Sequence, residues 1–240
     1  MITPPSHRRS GVRNLLLLFL GLAVFGSLGT WQLNRSADRR AVLDAFESAE
    51  ASLPVSGLVS VPPGGDNTRV RLTGRYLADR QVLLDNMTHE GMRGYHVLTP
   101  LETADSLVMV NRGFVAGGPD RSELPELAVS GGEREVVGIA VPYFRRGLRL
   151  EEEAAEAAWP RRMVYPTADQ LRGLYDSPLS GYQILLDGAE PDGYVRAWRP
   201  YGMAPERHLA YAVQWYGLAA AAAGIWLAVT LKRRRARNAH

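Results

Sequence analysis

The chain has 240 residues, 46% of them apolar and 22% charged, with 28 basic against 25 acidic side chains and no cysteine. That length accommodates one ordinary domain with accessories, and the absence of thiols excludes disulfides, thiolate metal sites and a cysteine nucleophile. The excess of positive charge lies at the ends: without Arg8, Arg9, Arg13, Lys232, Arg233, Arg234, Arg235 and Arg237, the body keeps 20 basic and 25 acidic residues, which argues against a nucleic-acid partner.

In chain order, the first predicted element is an apolar run over residues 14–33, NLLLLFLGLAVFGSLGTWQL, with no charge between Arg13 and Arg35. About 20 helical residues rise roughly 30 Å, the thickness of a hydrocarbon core. Ser27-Leu28-Gly29 also resembles a signal-peptidase site, so a cleaved leader is the competing reading. Residues 34–50 carry a helical apolar stripe that continues the run. Loops follow at Pro54 and 61–69. Strands are then expected at 69–77, at 81–84 ending on Asp85-Asn86, and at 95–101, 106–115, 133–143 and 181–186. Between the last two, EEEAAEAA at 151–158 suits a helix or an acidic loop, and a short helix is predicted at 169–175 with Thr167 as its cap. A second uncharged run covers 209–231, with Gln214 as its strongly polar side chain, and the basic cluster follows it.

These elements predict a membrane protein: a two-helix transmembrane hairpin holding a mostly β (α+β) extracytoplasmic domain, built as a small antiparallel sheet or partly closed barrel. The boundaries read as a cytoplasmic tail at 1–13, transmembrane helices at 14–33 and 209–231, the extracytoplasmic domain at 34–208 and a basic cytoplasmic tail at 232–240. Basic residues favour the cytoplasmic side of a span, and the five after 231 set the orientation. Both termini then face the cytoplasm, and the middle domain is periplasmic in a Gram-negative cell. Trp31, Tyr211, Trp215 and Tyr216 sit at the headgroup level of one membrane face, where lipid is a partner.

Motifs for catalysis are missing: there is no Gly-rich phosphate loop in a strand–turn–helix setting, no HExxH and no GxSxG. No enzymatic activity is expected. His89 and His96 have opposite parity on a regular strand and could act together only across a turn, for which Gly91 and Gly94 are available. Arg112, in an otherwise apolar strand, is either an edge residue or a buried cation with an acidic partner, Asp85 being the candidate. Arg35 suits a headgroup contact. His208 sits one residue before the second run and shares a helix face with Tyr211, Ala212 and Trp215. Two readings stand for it: an interfacial anchor, or an axial haem ligand with aromatic flanks and an alanine gap for a flat porphyrin.

Four blocks carry a resemblance: GTWQLNR at 29–35, LLDNMTHEGMRGYHVLTPL at 83–101, VNRGFV at 110–115 and PERHLAYAVQWYGLA at 205–219. In order and spacing the chain resembles the surfeit locus protein one family, over nearly its whole length. Phe114 stands where relatives often carry Trp, and 151–175 matches weakly. The resemblance implies the two-span topology and a role as assembly factor for haem-copper cytochrome c oxidase. It further implies binding of haem a, transiently, with His208 as axial ligand to the iron. On that reading Tyr211 and Trp215 are expected to pack the ring, and Trp31 to close the site if the two helices pack side by side. The partner implied is the catalytic subunit of the oxidase, with a haem a synthase as a second candidate. An oxidase-subunit scaffold that carries no haem is the alternative.

Overall fold

A computed structural model describes residues 7–61, 67–121, 123–143, 158–200 and 202–238. The chain divides into two compact units, one made of its N-terminal 44 residues together with Pro200 onward, the other of Ala45–Arg199. The acidic stretch at 151–157 lies outside the described residues.

The first unit is built on two long helices. Helix α1 runs His7–Ala51, so the stripe expected at 34–50 is helical and continuous with the apolar run before it. The closing helix, Pro205–Asn238, is α3. Both are long and apolar enough to cross a membrane, which gives a membrane-associated protein.

The second unit is a barrel-like sheet. Its strands are β1 (Val55–Ser56), β2 (Thr68–Tyr76), β3 (Val82–His89), β4 (Met92–Glu102), β5 (Leu107–Ala116), β6 (Glu133–Pro142), β7 (Arg161–Met163) and β8 (Leu179–Leu186). They lie in the order β1-β2-β6-β8-β5-β4-β3-β7, and β2 also pairs with β4. That last pairing, Arg75 opposite Glu102 and Tyr76 opposite Leu101, closes β2, β6, β8, β5 and β4 into a ring. A mostly antiparallel, partly closed barrel is therefore what the alternating patterns produce. Among the described strands the parallel pairs are β1–β2, β3–β7 and β5–β8.

Burial follows the period of two. On β2, Val70, Leu72 and Tyr76 point inward while Arg71, Thr73 and Arg75 point out. Strand β5 is buried on both faces from Leu107 to Phe114. Val108 and Val110 join the barrel core with Val70, Leu101 and Ile184, whereas Leu107 and Met109 join a second core with Leu84, Leu98 and Leu171. A strand covered on both faces reads as one continuous apolar run, as 106–115 does.

Strand β3 does not end at Asp85-Asn86 as expected. Asn86 takes a positive φ of 61° in a bulge, and pairing with β4 resumes at Met87. The hairpin closes at Glu90-Gly91, both with positive φ, between the paired His89 and Met92. Two such residues make a type I′ turn, whose twist matches that of the flanking strands. The short helix α2 spans Ala168–Arg172 and has the expected cap: Gln170 N–H donates to Thr167 Oγ1 and Thr167 N–H donates to Gln170 Oε1.

Candidate functional site

The two long helices run antiparallel, because their contacts rise along α1 as they fall along α3. Phe25 stacks on Trp215 with ring centroids 5.9 Å apart. Thr30 donates to the Gly26 carbonyl, so the Tyr216 hydroxyl is the donor in its 2.9 Å bond to Thr30 Oγ1. Gln32 Oε1 lies 2.7 Å from His208 Nδ1, and Ser36 donates to the Pro205 carbonyl at 3.0 Å. Arg39 reaches the Pro200 carbonyl. The contact positions, 25, 29, 32 and 36 against 205, 208, 212 and 215, alternate steps of three and four, the spacing of a helix-pairing seam.

Small residues let the backbones approach. Gly29, Ser36 and Ala212 are all buried. A Cβ on Gly29 would meet the Tyr216 ring at 2.8 Å. With little hydrophobic drive between helices in lipid, close packing and interhelical hydrogen bonds hold such pairs.

His208 is half-buried in this seam. An amide oxygen can only accept, so the Nδ1 nitrogen carries the proton and the Nε2 lone pair remains for another partner. Ala212, whose small side chain the sequence offers as a gap for a porphyrin, is 1% exposed and belongs to the helix packing. Trp215 is engaged by Phe25. Tyr211 and Trp31 are 44% and 53% exposed, and Tyr216 is 40% exposed. As a donor set, these residues would suit a haem: His208 Nε2 would be the nitrogen offered to its iron, and Tyr211 and Trp31 would offer flat apolar surface to its ring. Gln32 was not singled out from the sequence, although it stands inside GTWQLNR. A polar, uncharged side chain at the end of an apolar run was the signal for it.

In the barrel unit, Arg112 is 1% exposed and its partner is not Asp85. Its Nε donates to the Asp192 carbonyl, one terminal nitrogen to Gln81 Oε1 and Thr99 Oγ1, and the other to the Ala128 carbonyl. The faces of Tyr194 and Tyr76 lie 5.0 and 5.9 Å from the guanidinium carbon. Asp85 is held instead by Arg121, at 2.7 and 2.6 Å. The buried cation is thus hydrogen-bonded by neutral oxygens and faced by two rings, and the nearby Asp192 carboxylate, paired to Arg134, acts on it without a direct bond.

The Glu90-Gly91 turn brings His89 and His96 to a common aromatic cluster. Their rings lie 5.5 and 6.3 Å from Phe114, and His96 also meets Trp198 at 5.5 Å. Asn111 uses its amide oxygen on the Gly113 N–H, so its amide nitrogen is the donor toward His96 Nδ1 at 3.3 Å. Among the described residues, no three His, Asp or Glu side chains converge as a metal site would require. Arg35 pairs loosely with Asp38 at 3.7 Å, both exposed.

A model of the SURF1 family matches residues 19–220. The chain belongs to the SURF1 family. It is 25% identical to a SURF1-like protein of Rickettsia conorii over 85% of each chain. It is also 25% identical to surfeit locus protein 1 of Takifugu rubripes, over 90% of this chain and 96% of the relative. A third relative, surfeit locus protein 1 of Xenopus tropicalis, is 27% identical over 88% of this chain. SURF1 family members are known as oxidase assembly factors. The matched span takes in both sides of the helix seam, from Phe25 to Ser36 and from Pro205 to Tyr216, and the whole barrel between them.

Proposed function

We propose that this chain is an assembly factor for a haem-copper cytochrome c oxidase, and that it holds haem a for the catalytic subunit through His208. It acts by binding and release, not by catalysis. Two transmembrane spans keep both termini in the cytoplasm and the barrel on the periplasmic side of the plasma membrane. A haem a synthase is the natural donor, the oxidase catalytic subunit the acceptor, and lipid surrounds the helices.

The observation that carries this reading is the placing of the His208 ring: Nδ1 lies 2.7 Å from Gln32 Oε1, which leaves Nε2 for a ligand, and Tyr211 and Trp31 on the same two helices are exposed. Haem a supplies the redox iron that the finished oxidase uses. The chain's own residues present one imidazole to that iron and flat apolar surface to the ring. A single axial histidine suits a site that must give its cargo up.

Haem a content after purification from cells that make it is the test. Wild type is expected to carry the pigment and His208→Ala to lose most of it. Equal haem content in the two would remove the ligand assignment. A second reading, a scaffold for oxidase subunits that carries no haem, is favoured by the closure of the seam over Ala212. It requires wild type free of haem a that still co-purifies with the catalytic subunit.

A further inference from the structure

We propose that Gln32 is the positioning residue for the His208 imidazole: its amide oxygen fixes the proton on Nδ1 and so makes Nε2 the ligating nitrogen. The functional meaning of this rests on the reading of His208 as a haem ligand, but the tautomer itself does not.

The chemistry follows from the inventory of donors. Neutral imidazole has one N–H, and either nitrogen can carry it. Oε1 of Gln32, 2.7 Å from Nδ1, can only accept, so the proton must be there. Histidines that bind metals usually donate their other N–H to such an acceptor, which fixes the ring and raises the basicity of the ligating nitrogen. Gln32 is itself held. It lies half-buried in the seam between Gly29 and Ser36, both buried.

The acceptor and the ligand come from different helices, Gln32 from α1 and His208 from α3. The ligating tautomer is therefore a property of the paired helices and not of α3 alone. The type of acceptor also matters. A carboxamide leaves the imidazole a neutral ligand of moderate strength, whereas a carboxylate would draw the Nδ1 proton toward itself and make a stronger one. Strong retention would defeat delivery, and Gln suits a site that lets go.

The experiment uses the full chain in detergent, with ¹⁵N-labelled histidine. In alkaline buffer, long-range ¹H–¹⁵N spectra read which nitrogen of His208 is protonated, and haemin titration reads affinity in the same samples. Wild type is expected to show the Nδ1–H form. Gln32→Leu should shift His208 toward Nε2–H and weaken haemin binding about 10- to 100-fold, the usual effect of losing such a partner. Gln32→Glu should restore the Nδ1–H form and bind haemin at least as tightly as wild type. Ser36→Ala removes a neighbouring interhelical bond without touching the ring and should leave both readings unchanged.

An Nε2–H form in wild type overturns the proposal. So does equal weakening by Ser36→Ala and Gln32→Leu, which would reduce Gln32 to a helix-pairing contact. Should His208→Ala bind haemin as well as wild type, the ligand reading fails while the tautomer result still decides the role of Gln32.

Discussion

His96 keeps its ring among Phe114, Trp198 and the Asn111 amide, and burial, with a smaller push from His89, takes its pKa down to about 4. The folded protein thus binds this proton less well than the unfolded chain, whose histidine titrates near ~6.5. The stability gained from a neutral, buried ring is complete above the unfolded value. It is lost as pH falls through that value toward the folded one, on the order of 3 kcal/mol in all. Denaturant unfolding of the barrel, followed by near-ultraviolet circular dichroism, should show wild type losing about that much more than His96→Gln between neutral and acid pH. Parallel pH profiles for the two proteins would contradict this. At this scale the sequence is an incomplete guide. Arg112 stands out in VNRGF as a charge in an apolar strand, and burial follows from that. Its partners do not, because the Ala128 and Asp192 carbonyls have no signature in residue type, and Gln81 and Thr99 come from just before β3 and from within β4. His208 is conspicuous for the same reason Gln32 is not: an imidazole announces its chemistry, while a carboxamide gains its role only from what faces it.

Elements were more legible, because period-two alternation reports directly on which face is buried. Strands β2, β4, β5, β6 and β8 lie within a few residues of their expected limits, and Thr167 caps α2. The strands that escaped are β1 and β7, of 2 and 3 residues, too short to show any period. Closure of the ring was also hidden, since it depends on glycines whose neighbours are distant in sequence. A Cβ on Gly138 of β6 would sit 2.3 Å from the Leu185 carbonyl oxygen and 2.6 Å from the Ile184 side chain, and backbone cannot move aside cheaply. Gly138→Ala should therefore destabilise the barrel by about 3 kcal/mol and disturb the β6–β8 ladder. Gly181→Ala on β8, where a Cβ meets nothing within 4 Å, should change stability by less than about 0.5 kcal/mol. Thermal unfolding of the two variants side by side reads the difference. A Gly138→Ala protein as stable as Gly181→Ala would mean that the barrel opens and recloses without strain.

At the scale of the whole molecule, the two long helices were the most legible feature, because a charge-free run of span length has few soluble explanations. Orientation follows from a weaker signal. Arg35, Arg39 and Arg40 follow the first apolar run as Arg8, Arg9 and Arg13 precede it, so only the cluster after the second run is one-sided. The lack of any cysteine turns this into a clean measurement, since a single introduced thiol is the sole target of a maleimide. Asp105 is exposed in the connection between β4 and β5, and Arg234 is exposed on α3 beyond the second apolar run. With a membrane-impermeant maleimide on intact spheroplasts, Asp105→Cys should label at once, and Arg234→Cys only after the membrane is broken. The reverse pattern would turn the molecule over and put His208 on the cytoplasmic side, away from a periplasmic site of haem transfer. Labelling of both from outside would mean that the second run does not cross, and the hairpin would be lost along with the orientation.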